Sequence, residues 1–218
     1  MKPGVIVSLS YPRGPQDGMV LLVCLIFLTA LTLLGLSSVS DTVLQKKLAA
    51  NNHESEQARQ SALAALAWAE NWLLGQGGIA PEICMESCQG LRLHPSGDLP
   101  SNPEFEDLSW WLEQGHAAGV DPYSGSRTAL VSAGSHDTPA WIVESVHSLP
   151  AAQDGSADLQ VWYRVLARGS GKTDNSIAVF ESILVRSWPT VEENEYIAAC
   201  PASGATAKCG RVAWRELR

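Results

Sequence analysis

An unbroken apolar run constrains this chain more than any other feature of its sequence. Residues 19–36 contain no charged side chain, and Thr29 and Thr32 are the only polar ones among them. A helix needs about 20 predominantly apolar residues to cross a lipid bilayer, so this run is long enough to span one. What the chain can fold into therefore depends on whether the run is removed after synthesis or retained.

The residues around the run leave two alternatives to a retained working helix open. A secretory signal peptide has a shorter apolar core, about 7–15 residues, but Ser38 and Ser40 would supply the small residues before its cleavage site. A plain membrane anchor is the second alternative, although basic residues flank the run on both sides and do not orient it. The cysteine usage and the long downstream part favour a cytoplasmic N-terminus and an exported C-terminal part.

Downstream of the run, the sequence continues as an amphipathic helix. Largely small or apolar residues recur at alternating steps of four and three, as on one face of a helix. These residues are Leu44, Leu48, Asn51, Ser55, Ala58, Ala62, Ala65, Ala69 and Trp72. Glycines at positions 75, 77 and 78 indicate the end. The pattern predicts one helix over residues 19–75, weakest at residues 35–42, which are poor in strong helix formers.

Residues 76–218 are predicted to form a small α+β domain on that helix. Residues 76–100 are rich in Gly, Pro and Ser, which predicts a loop. Residues 101–115 predict a short helix with one apolar face that contains Phe105, Leu108, Trp111 and Leu112. Alternating apolar residues predict an antiparallel sheet. Its expected strands cover 140–149, 159–169 and 176–188, followed by a short helix after Thr190 and an edge strand with Trp214 tucked in.

The cysteines predict an oxidising compartment for the C-terminal part. Cys24 lies in the apolar run, and Cys84, Cys88, Cys200 and Cys209 allow three disulfide connectivities. The local pairs Cys84–Cys88 and Cys200–Cys209 are the simplest. A zinc site built from the same four residues and free thiols are the alternatives, but the spacings differ from the usual paired CxxC pattern of zinc sites.

Composition and motifs argue against several function classes. The net charge of −8 without a Lys/Arg cluster is unsuited to nucleic-acid binding. Gly171, Lys172 and Thr173 lack the glycine five residues upstream that a phosphate-binding loop needs, and a strand is predicted to follow them. Residues 154–158 fall short of a calcium-binding EF-hand loop, and the histidines are scattered. The sequence therefore predicts no catalytic, metal or cofactor site.

A span-length apolar helix that directly follows a glycine and continues as an amphipathic helix is similar to the type IV pilin family. The stretch VLLVCLIFLTALTLLGLSSVSDTVLQKKLAANNHESEQARQSALAALAWAE, residues 20–70, resembles PilX-type minor pilins in particular. The strand patterns Ile-Val-Glu and Tyr-Arg…Ala-Arg-Gly resemble the same sequences. The resemblance implies an α+β, type IV pilin-like fold, in which a long N-terminal helix packs on a small antiparallel sheet.

The resemblance also implies a processing pathway and partners. A prepilin peptidase would cut after Gly18, remove residues 1–18 as a leader and leave a methylated amine on Met19. The chain would cross the inner membrane once, with a cytoplasmic N-terminus and a periplasmic C-terminal domain, before it enters a filament. Its partners would be other minor pilins and the major pilin, joined through Met19, Val23 and the alanines at 58, 62, 65 and 69.

Val23 is the departure from the family pattern that bears on function. Major pilins carry a glutamate at this fifth position after the cut, and that glutamate is thought to neutralise the amine of the subunit already in place. Basic residues usually precede the cut, whereas this chain has Gln16 and Asp17. A chain with Val23 is expected at the start of the filament, hence in few copies at its tip. A minor pseudopilin of a type II secretion system, and a tethered or secreted periplasmic enzyme or binding module, are the alternative functions.

Overall fold

The chain is an α+β protein with a long N-terminal helix and a mostly antiparallel sheet. A computed structural model describes residues 17–84, 88–130, 135–150, 158–173, 175–189 and 209–218. The chain divides into two compact units, Met1–Ala50 and Asn51–Arg218. The boundary between the units therefore lies within the helix, whereas the boundary predicted from the sequence lies after residue 75.

Helix α1 spans Asp17–Gly75 and confirms the prediction of one helix over residues 19–75. It includes residues 35–42, where the sequence predicted the weakest helix. The alanine-rich segment before Gly75 has high intrinsic helix propensity. Past the end of the helix, Gly78 has a φ of +78°, a left-handed conformation that glycine adopts without steric cost.

Within the described residues, six strands form one sheet beside the second part of α1. They are β1 Leu93–Pro95, β2 His116–Ala117, β3 Ala140–Pro150, β4 Asp158–Ser170, β5 Ile177–Pro189 and β6 Gly210–Glu216. The strand order is β1-β3-β4-β5-β6, with β2 also paired to β3. All pairs are antiparallel except β1 with β3. The three predicted long strands and the predicted edge strand are confirmed, whereas β1 and β2 fall in segments predicted as loop or left unassigned.

The two faces of the sheet pack against different partners, because successive side chains of a strand point to opposite sides. On β4, Tyr163 and Val165 belong to the core that contains the buried residues of α1. Leu166 lies on the opposite face and packs with Trp111 of helix α2, Leu108–Gln114. The core therefore has a helix-facing layer and a smaller layer under α2.

The predicted helix over residues 101–115 is two separate elements. A 3-10 helix covers Pro103–Phe105, and α2 starts only after Asp107, whose carboxylate accepts a hydrogen bond from the Trp110 amide. That cap interrupts the predicted apolar face, so Trp111 is buried while Phe105 is 72% exposed. The prediction of one shared apolar face was wrong at Phe105 and at Leu112, which is 42% exposed.

The last strand differs from its prediction at Trp214. Trp214 was predicted to be tucked in, but it is 55% exposed because β6 lies at the edge of the described sheet.

The cysteines were predicted to form two local disulfides. The Cys84–Cys88 disulfide is present, with its Cα atoms 5.8 Å apart. Since both sulfur atoms are used in this bond, these two residues are excluded as zinc ligands. Cys209 is disulfide-bonded. Its predicted partner Cys200 and the predicted helix after Thr190 lie outside the described residues.

Candidate functional site

The first part of α1 presents an apolar surface that nothing in the described chain covers. Every residue from Gly18 to Gly35 is exposed, and this segment is long and apolar enough to cross a membrane. Its two polar side chains are satisfied locally, because Thr29 donates to the Ile26 carbonyl at 2.9 Å and Thr32 donates to the Thr29 carbonyl at 2.8 Å. The segment therefore presents few unsatisfied polar groups to lipid, where each would be costly.

The residues of the predicted processing site lie at the start of α1. Gly18 and Met19 are in its first turn, and Met19 is 73% exposed. Val23 is 44% exposed and lies on the same helix, one turn farther along. The unpaired Cys24 is exposed beside it. The surface of α1 is therefore accessible at Gly18, Met19, Val23 and Cys24.

The alanine stripe of α1 has a different role from the one predicted. Ala58, Ala62, Ala65 and Ala69 are at most 1% exposed and belong to the core between the helix and the sheet. They were predicted as contacts to other subunits, but the chain's own sheet occupies this surface. Small side chains suit this position because they let the helix backbone approach the strands closely. The stripe therefore fixes α1 to the C-terminal domain.

Two glycines on the sheet side match the small residues of the helix. A Cβ atom on Gly169 would lie 2.2 Å from the backbone nitrogen of Ala62 and 2.8 Å from the carbonyl oxygen of Ala58. A Cβ atom on Gly171 would lie 2.6 Å from the Glu54 carbonyl oxygen. Real Cβ atoms do not approach backbone atoms this closely. The end of β4 therefore accommodates α1 only because it lacks side chains here.

A buried arginine holds the C-terminal end of α1. Arg186 of β5 donates from its two terminal nitrogens to the carbonyl oxygens of Leu73 and Gln76. Its guanidinium carbon lies 3.4 Å from the ring centroid of Trp188, which is a cation–π stacking distance. The last carbonyls of a helix have no partner within the helix, so Arg186 supplies partners and favourable charge at the same time.

An aspartate loop contacts the same end of the helix. Trp72 of α1 donates from Nε1 to Oδ2 of Asp121 at 2.7 Å, and its ring stacks on Tyr123. The amide of Ser124 also donates to Asp121, at 2.8 Å. The hydrogen bond from the Ser124 amide has the largest effect on Asp121, followed by that from Trp72. Both stabilise the carboxylate and therefore lower the pKa of Asp121 below its usual value. The loop after β2 is thus anchored to α1.

Two ion pairs connect edge strand β6 to α1. Arg211 donates from Nε to a carboxylate oxygen of Glu70 at 2.8 Å, and Arg59 donates from Nε to Glu216 at 2.9 Å. One pair lies near each end of the strand, so they fix its register along the helix. The hydrogen bond to Glu70 raises the pKa of Arg211 further above its already high value.

Sequence reasoning missed Arg186, Arg211 and Asp121 as residues that hold α1. A signal for Arg186 was present, because it occupies a helix-facing position of β5 between Leu184 and Trp188, where an apolar residue is expected. No comparable signal identifies Arg211, whose partner Glu70 is 141 residues away. Their common effect is mechanical, since they bind the helix and not a small molecule.

Two of the histidines considered for chemistry, His94 and His116, are close enough to interact electrostatically, and each contacts a backbone group of the chain itself. Within the described ranges, no three His, Cys, Asp or Glu side chains are close enough to hold a metal ion. Strand β5 begins at Ile177, so a strand and not a helix follows the Gly-Lys-Thr sequence, as predicted. Residues 154–157 lie outside the described residues. Comparisons with protein-family models, curated proteins and solved structures found no match.

Proposed function

We propose that this chain is a PilX-type minor pilin that helps to start assembly of a type IV pilus and lies at the pilus tip. The observation that carries the proposal is the division of α1. Its first part is exposed and apolar over a membrane's thickness, and its second part packs on an antiparallel sheet. A pilin-like fold combines these same two properties in one helix.

The exposed apolar part of α1 has to be shielded from water, and two different surroundings would do this in succession. Fully burying one large apolar side chain is favourable by about 1.5–3 kcal/mol. Several large apolar side chains of this part of α1 are each more than three-fifths exposed, among them Met19, Leu21, Leu28 and Leu34. In the proposal, the inner membrane covers them first, with the N-terminus in the cytoplasm and the C-terminal domain in the periplasm. The apolar core of a filament covers them afterwards.

Processing after Gly18 would place a positive charge at the edge of that apolar core. Leaving a charge unpaired in a region of low dielectric constant costs several kcal/mol. A glutamate at the fifth position of the next subunit would neutralise the amine on Met19. Val23 gives this chain no carboxylate to offer in return. The chain therefore fits the first position of a filament, in a priming complex with other minor pilins, better than repeated insertion.

The test is genetic and uses the position of the protein in the filament as its readout. Deletion should nearly abolish surface pili, and the wild-type gene should restore them with the protein confined to tips in immunogold images. Val23→Glu should let the chain enter along the filament, whereas the matched variant Val23→Leu should leave it at the tip.

Three outcomes would contradict parts of the proposal. Wild-type protein spread evenly along sheared pili at high copy number would exclude the tip position. Intact pili with a loss of protein secretion after deletion would identify a pseudopilin of a type II secretion system instead. A mutant without any defect in either process would favour a tethered binding module or enzyme.

A further inference from the structure

Strand β6 forms one edge of the described sheet and lies open to solvent. It pairs with β5 on one side, and no described strand pairs with its other side. Every residue from Arg211 to Glu216 is exposed, and the exposed fraction is 54% for Val212 and 55% for Trp214. An exposed edge strand presents backbone N–H and C=O groups to which another strand can bind. The backbone of β6 can therefore accept a further strand.

The side chains of β6 give the two faces of this edge different chemistry. Trp214 lies opposite Ser182 of β5, and its ring is 5.8 Å from the ring of Phe180 in the helix-facing core. Arg215 lies opposite Glu181 and points to the other face, because successive side chains of a strand alternate. An added strand would therefore meet an indole on the α1 side and a guanidinium on the α2 side.

The ion pairs of β6 leave the arginines more exposed than their carboxylates. The side chain of Arg215 is 66% exposed, whereas that of its partner Glu181 is 10% exposed. The side chain of Arg211 is 36% exposed, whereas that of Glu70 is 8% exposed. Arg215 donates to Glu181 from Nε at 3.0 Å, and its terminal nitrogens have no partner among the described residues. Positive charge and free N–H donors therefore face the solvent along this edge.

This distribution of charge selects one kind of partner strand. Arginines at a sheet edge disfavour pairing with a basic strand and complement an acidic one. A second copy of β6 has the same excess of positive charge, two arginines against one glutamate, and is the poorer match. Tryptophan and arginine are also the residue types that most often dominate the binding energy of protein interfaces.

We propose that β6 is a docking edge for an extended, acidic segment of another polypeptide, which adds to the sheet as a strand. The segment alternates apolar side chains, which cover Trp214, with carboxylates, which face Arg215. Its backbone continues the hydrogen-bonded ladder beyond β6. This inference is independent of the proposed function.

The test compares three synthetic peptides, each as long as β6, on the full chain in lipid nanodiscs. The first alternates valine with glutamate, and the second has lysine in place of every glutamate. The third keeps the acidic sequence but carries N-methyl groups on its amides, which removes the hydrogen bonds of an added strand. Each peptide is titrated to about 1 mM, and hydrogen exchange of residues 210–216 reports whether the amides of β6 gain partners.

The acidic peptide should slow exchange in β6 by about tenfold or more, and the other two peptides should not. Arg215→Gln should weaken the binding of the acidic peptide about fivefold, the effect of losing one exposed charge pair. Arg127→Gln is the matched control, because it removes the same charge from an exposed arginine outside β6 and should leave binding unchanged.

Each other outcome would overturn part of the proposal. Equal protection of β6 by the lysine peptide would exclude an acidic partner, and protection by the N-methylated peptide would exclude strand addition. Protection that rises with protein concentration in the absence of peptide would make a second copy the occupant. No protection by any peptide would overturn the docking edge itself. The comparison of the three peptides decides if Arg215→Gln does not fold.

Discussion

At the residue scale, the approach of α1 to β4 depends on the missing side chain of Gly169. We predict that Gly169→Ala lowers the free energy of unfolding by about 3 kcal/mol, the upper end for an overpacked core. The new Cβ would collide with the backbone of Ala62 and not with a side chain that could rotate away. Urea unfolding of the full chain in detergent, followed by tryptophan fluorescence, measures the loss.

Gly75→Ala is the matched control, because it adds the same methyl group at a helical position with no atom within 4 Å. Its unfolding free energy should stay within about 1 kcal/mol of wild type, since alanine favours helix. If Gly169→Ala were as stable as wild type, α1 would not be held in close contact with β4 at Gly169.

Several single residues could be placed from sequence alone, and others could not. The alternating pattern put Tyr163 and Val165 on one face of β4, where they are buried. The helical stripe put Ala58 and Ala62 on one face of α1, but it could not distinguish burial against the chain's own sheet from burial against another subunit. Both produce the same apolar spacing.

At the element scale, strand β2 is stabilised by a neutral histidine. Burial first, and then the charges of Arg92 and His94, lower the pKa of His116 from 6.5 to about 4. A lowered pKa means that the folded state favours the neutral ring. The stabilisation is therefore complete above about pH 6.5 and is lost as the pH falls toward about 4.

We predict that acidification from about pH 7 to about pH 4 costs up to about 3 kcal/mol through His116. His116→Gln has no such titration, so the difference in unfolding free energy between wild type and this variant should shrink across that interval. Urea titrations at several pH values measure this difference. A difference for His116→Gln that stays constant with pH would refute the assignment.

The elements that the sequence missed are the short ones. Strands β1 and β2 have three and two residues, which is too few for an alternating pattern to emerge. They exist because β3 pairs with β4 along one edge and offers its other edge to segments that the chain brings alongside it. Long strands such as β4 and β5 have enough alternation to be predicted, and α1 has enough helical periodicity.

At the scale of the whole molecule, the sequence predicted an α+β chain with one long N-terminal helix, and the structure agrees. The contacts that hold the helix to the sheet were not predictable, because they join residues far apart in sequence, such as Arg186 with Leu73 and Arg211 with Glu70. Local patterns carry no information about such pairs. The proposed function requires that the mature chain keeps the apolar run.

The central claim is that the mature chain keeps the apolar run. The most direct test of this claim is the mass of the mature chain extracted from membranes. Processing as a pilin predicts an N-terminus at Met19, with a methylated amine, and a chain that includes the whole apolar part of α1. Substitution of Gly18→Asp should block this cleavage and leave the leader attached. A wild-type chain that begins at Asp41, after removal of the run as a signal peptide, would contradict the account.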